Sequence, residues 1–160
     1  MTLTEAKIIG SRQGLISVGF GILIAQLIMT FMISTDNGFI NAFFWITDID
    51  YWINILIGII IIFACRHFYG QLVGKLILIK KWNFIHTGFL IGLLIILTTS
   101  FLASWTGFIQ EGIDNIGTIS NPFNDYIFKP MYSITIFGLI PSLIVGCWFG
   151  RQIKIKGKDK

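Results

Sequence analysis

Eleven of the twelve basic residues in this chain stand in three clusters, and four long apolar runs separate the clusters in alternation with acidic loops. Lys7 and Arg12 precede the first run. Arg66, Lys75, Lys80 and Lys81 lie between the second and third, and Arg151, Lys154, Lys156, Lys158 and Lys160 follow the fourth. The two intervening loops hold Asp36, Asp48, Asp50, Glu111, Asp114 and Asp125, with Lys129 as their only base. Basic residues stay on the cytoplasmic side of a membrane, so the alternation predicts a class and an orientation together. The expected fold is all-α and polytopic: four transmembrane helices in one up-down bundle, both termini cytoplasmic, in a bacterial inner membrane.

Composition excludes the main alternatives. Only 12% of the 160 residues are charged while 54% are hydrophobic, against about 25% charged in ordinary soluble domains. That is too little polar surface to cover a globule. The net charge of +4 is no nucleic-acid footprint, because the bases flank apolar runs instead of interleaving with aromatics. They suit anionic inner-leaflet lipids, at roughly 1 kcal/mol for each base near the surface. Cys65 and Cys147 are too few for a disulfide framework and read as packing residues. The apolar run from Leu15 to Ile33 is too long for a signal-peptide core and no small-residue cleavage site follows it, so it reads as an uncleaved first span.

A spanning helix needs about 20 apolar residues. The runs place spans at about 15–34, 51–73, 84–104 and 131–150, with 151–160 as a basic tail. Trp82 and Trp105 bracket the third span at interfacial belt positions, and Pro130 suits the first turn of the fourth. The second span is short, with fifteen uncharged residues between Asp50 and Arg66. A helix continuing through Arg66 and His67 towards Gly74, with Arg66 snorkelling to the inner headgroups, resolves this. Both outer loops are expected to carry short interfacial helices. One is marked by Phe39, Ile40, Phe43 and Phe44. The other is marked by Ile109, Ile113 and Ile116, ahead of a turn-rich stretch from Asn121 to Asp125.

In lipid, small residues four apart mark helix contact faces, because close backbone approach holds such helices together. Gly138, Ser142, Gly146 and Gly150 form an unbroken series of this kind on span 4. Span 3 offers Gly88, Gly92, Ser100 and Ser104, and span 1 offers Gly14, Ser17, Gly21 and Ala25. On span 2 the line Gly58, Ile62, Arg66, Gly70, Gly74 places Arg66 on the packing face. The stripes can satisfy one another inside one chain, or that of span 4 can meet a second copy or a protein partner. Pro141 interrupts the hydrogen-bond ladder of span 4 and is a candidate hinge.

Chemistry-bearing patterns are few. No G-x-S-x-G elbow and no H-E-x-x-H motif occurs, so an enzyme is not expected. His67, His86, Cys65 and Cys147 share one expected depth, but Cys65 and His67 are two apart on a helix and point to different sides. No metal or other cofactor is expected. No Asp, Glu, Lys or Arg is expected at mid-depth, which argues against coupled ion transport. The expectation is a non-enzymatic membrane subunit, homo-oligomeric or partnered and of immunity or defence type. Its lipid or partner contact is a basic inner rim of Arg66, His67, Lys75, Lys80 and Lys81. The alternative is a small oligomeric channel or transporter with a polar path along Gln26, Thr30 and Ser34.

Overall fold

The computed structural model describes residues 1–45, 52–118 and 120–159, and the side chains of 35–37 and 52 fall outside that description. Asp48, Asp50, Lys160, the side chain of Asp36 and the first residue of the expected second span therefore lie outside the described residues. The described residues form helices joined by turns, bends and short irregular links, with one isolated bridge residue, Ile116.

α1 (Leu3–Asn37) begins a dozen residues before the expected span. Thr2 caps it: its hydroxyl accepts from the Glu5 N–H at 3.2 Å, and the Glu5 carboxylate accepts from the Thr2 N–H at 2.8 Å. This reciprocal box is a strong start signal. Gly38 ends α1 at φ 73°, a backbone region where side chains are disfavoured. The chain then turns into α2 (Phe39–Phe43), a helix where the aromatic spacing of the first loop predicts one.

α3 (Trp52–Gly74) passes straight through Arg66 and continues as a widened turn, Lys75–Ile79, closed by the Lys80 N–H donating to the Lys75 carbonyl at 3.1 Å. α4 (Phe84–Gly107) starts on Asn83, whose side chain accepts from the N–H groups of Ile85 and His86. It runs on into a second widened turn, Phe108–Gly112. No separate amphipathic helix forms around Ile109, Ile113 and Ile116: Ile109 belongs to this continuation, and the chain has left the helix before Ile116. The stretch from Asn121 to Asp125 is likewise a helix start instead of a turn. The Asn121 side chain accepts from the Asn124 N–H at 3.1 Å, Pro122 and Phe123 are helical, and a third widened turn, Asn124–Phe128, leads into α5 (Lys129–Lys158). Proline lacks only an N–H that a helix's first turn leaves unused, which is why Asn-Pro opens this helix.

Four of these helical stretches are long and apolar enough to cross a membrane: Leu3–Ser34, Ile53–Ile79, Phe84–Gly112 and Asn124–Lys158. Large apolar side chains such as Leu23, Phe31, Ile60, Leu90 and Ile140 point outward at half exposure or more. A soluble fold hides such residues; a membrane helix bundle presents them to lipid.

Two backbone seams build the bundle. In the first, Gly10 and Gly14 of α1 meet Gly70 and Gly74 of α3 so closely that a Cβ on Gly10 would fall on the Gly70 carbonyl, and one on Gly74 on the Ala6 carbonyl. In the second, α4 meets α5: a Cβ on Gly146 would stand 2.7 Å from the Gly88 carbonyl oxygen, and one on Gly92 would stand 3.1 Å from the Ser142 hydroxyl. Both pairs run antiparallel. Where the seams face each other, Ala6, Ile9, Val73, Ile77, Ile91, Phe149 and Ile153 pack into a core at the end that carries both termini.

Candidate functional site

Further from that core, α1 and α5 separate. Between them, floored by α3 and α4, lies a cavity of about 560 Å³. That size falls within the range of small-molecule sites. On α1 its wall runs from Gly14 to Met32, and on α5 from Phe149 to Ser133, a slot about 25 Å long at the helical rise. Most of the wall is Ile, Met, Val, Phe and Gly, with Ser17, Thr99, Ser133 and Ser142 set among them.

Among the described residues, Arg66 is the only charged one that lines it. The sequence grouped Arg66 with Lys75, Lys80 and Lys81 on one rim, and the continuation of the helix to Ile79 separates them. Arg66 stands thirteen residues from each end of the stretch Ile53–Ile79, and shares the cavity with Ile95, the midpoint of α4. Lys75 is nine residues further along, about 13 Å of helix. Arg66 thus stands at mid-length of a helix that continues through it, as the short second run predicts.

Its contacts are few. Nη1 donates to the Ser11 carbonyl at 3.3 Å, the guanidinium carbon lies 5.7 Å from the Phe63 ring centroid, and Nε is buried without a partner. The ion pairs among the described residues are Lys129–Asp125 and Lys156–Asp159, both at the bundle's ends. Thr99 and Ser142, also on the cavity wall, each bury a hydroxyl oxygen with no partner. The neighbouring His67 faces away from the cavity's lining: its Nδ1 lies 3.3 Å from the Ser11 hydroxyl and its Nε2 lies 2.9 Å from the Gln71 amide. Lys80 and Lys81 are exposed in the α3–α4 turn, where Lys81 holds φ 59°. No group of three or more His, Cys, Asp or Glu gathers among the described residues.

The other sequence-derived residues fall as follows. Gly138, Ser142, Gly146 and Gly150 all face α4, where they meet Ile96, Gly92, Gly88 and Phe84. Gln26 clasps the segment after α2, donating to the Phe43 carbonyl at 2.7 Å and accepting from the Trp45 indole at 3.1 Å. Thr30 donates to the Gln26 carbonyl and Ser34 to the Phe31 carbonyl. All three polar side chains of the supposed path are thus tied within the chain. Pro141 lies on the cavity wall, and α5 continues through it. Its missing N–H leaves the Phe137 carbonyl, one turn earlier on the same wall, without its helical donor.

Sequence reasoning missed Thr99, which looked like one more member of an apolar span. It also missed Gly10, whose four-residue spacing from Ala6 and Gly14 was a usable signal. The architecture defines a class: a polytopic membrane helix bundle with an internal apolar chamber and one embedded guanidinium. No family model, curated protein or solved structure matches the chain.

Proposed function

We propose that this chain is a non-enzymatic integral membrane subunit whose work is to seat a ligand group in the chamber beside Arg66. In this reading it lies in a bacterial cytoplasmic membrane with both termini inside, and α2 rests near the outer boundary. One observation carries the reading: Arg66 lines an apolar chamber with its Nε buried and unpartnered, and no carboxylate is paired to it among the described residues. A charge withdrawn from water is costly unless it is paired, and an ionisable residue within a span marks a site by default. The unpartnered hydroxyls of Thr99 and Ser142 on the same wall add to the polar demand.

A pore along α1 has less support, because Gln26, Thr30 and Ser34 spend their hydrogen bonds internally. A second copy or partner protein would meet the bundle on a face other than the glycine ridges, which are already closed.

The test pairs two measurements. Proteoliposomes should pass potassium, protons and a small dye no faster than empty vesicles, with or without Gln26→Leu. Delipidated protein in detergent should gain several degrees of Tm on adding total membrane lipid extract, since a ligand that binds only the folded state stabilises it. Flux above background that Gln26→Leu abolishes would establish the pore instead.

A further inference from the structure

We infer that the chamber holds one acyl chain of an anionic phospholipid, with the lipid phosphate paired to Arg66; this rests on the ligand-seating reading above. Three observations converge on that occupant. The first is shape: the slot follows α1 from Gly14 to Met32, a length suited to an extended hydrocarbon chain, and most of its wall offers such a chain apolar contact. The second is charge. Arg66 enters the slot from the end where α1 and α3 are seamed, so a lipid headgroup meets it at one end only, and the chain runs towards Met32. A guanidinium presents its donors as a planar fork that matches a phosphate. One donor is spent on Ser11, and Nε has no partner.

The third observation is direction. Both termini and the Lys80–Lys81 turn lie at the end nearer Arg66, since Leu78 packs against Gly157 and Phe84 against Gly150 there. A lipid with its head at Arg66 and its chain pointing away has the orientation of the leaflet facing that basic end. Surface lysines alone attract anionic headgroups loosely. A half-buried guanidinium at the seamed end of a chain-length slot, its Nε without a partner, adds a single, tight site.

Native mass spectrometry of delipidated protein, titrated with phosphatidylglycerol or with phosphatidylcholine of the same chains, tests this. The wild-type protein should bind one phosphatidylglycerol about tenfold or more tightly than phosphatidylcholine, whose phosphate is already neutralised by its own quaternary ammonium and gains less from pairing with a guanidinium. Arg66→Gln should erase that preference while leaving weaker surface adducts, and Lys75→Gln with Lys80→Gln should do the reverse. Val18→Trp, which fills the slot, should weaken both lipids alike. Equal affinity for the two lipids in the wild-type protein overturns the inference without any variant having to fold. So does oleate displacing phosphatidylglycerol at equal concentration, or a preference that survives Arg66→Gln. If the lipids bind without headgroup preference and vesicle flux stays at background, only the ligand class is wrong. Flux abolished by Gln26→Leu removes the seating function itself.

Discussion

Arg66 shows how a residue's meaning depends on where its helix ends. In the sequence it is the first base after a short apolar run, and snorkelling is the economical account. The structure extends the same helix by another thirteen residues to Ile79, and Arg66 becomes central. The shortness of the apolar run predicted continuation towards Gly74; only the last turn, Lys75–Ile79, was unannounced, because Lys75 resembles a span's end. The turn that finally closes the helix contains a second informative residue. Lys81 sits at φ 59°, where a side chain on Cβ crowds the following carbonyl at a cost of about 1–2 kcal/mol and glycine does not. Lys81→Gly is expected to raise Tm in detergent, corresponding to a gain of about 1 kcal/mol. Lys81→Ala, which removes the same charge and keeps the Cβ, should give no such gain.

At the scale of helices, small-residue spacing was readable where the span itself was readable. Gly88 and Gly92 on α4, and Gly138 to Gly150 on α5, stand where the four-residue series put them, and they close on each other. On α1 the reading slipped by a turn. Gly14 lies in the seam, but a Cβ on Gly21 would meet only Val145, at 4.0 Å, while Gly10 and Ala6 carry the closest approach. Lys7 and Arg12 drew the eye away, since charges were taken to lie before the helix; here they lie on its exposed face. The two glycines make a matched experiment. Gly10→Val puts its side chain into the α3 backbone and should cost about 1–3 kcal/mol, the usual range for overpacking. Gly19→Val meets nothing within 4 Å and should leave the melting temperature within a degree or two of wild type. Comparable losses from both would mean that α1 and α3 do not pack along this line.

For the molecule as a whole, the pattern of charge and hydropathy was enough to foresee four membrane-length helices, because that pattern follows from the thickness of lipid alone. The chamber was not foreseeable. It arises from where α1 and α5 fail to touch, and a gap leaves no mark on either sequence segment. The proposed orientation has a direct check: tags at the N- and C-terminus should become accessible from the same face of sealed vesicles, the face that was cytoplasmic. Tags reporting opposite faces would require an odd number of crossings and would undo the bundle's assignment to four.

The glycine seams also decide where this molecule can yield. α1 is locked to α3, and α4 to α5, by main chain resting on main chain, so neither pair has side-chain slack to give up. On the side opposite the α3–α4 contact, α1 and α5 touch through the Phe20–Trp148 stack at 5.5 Å, and the slot opens beyond it. α3 and α4 stay together towards the far end, where a Cβ on Gly58 would stand 3.7 Å from the Ala103 Cβ, so a guest thicker than the slot would enter by spreading α1 from α5 at the Met32–Ser133 mouth.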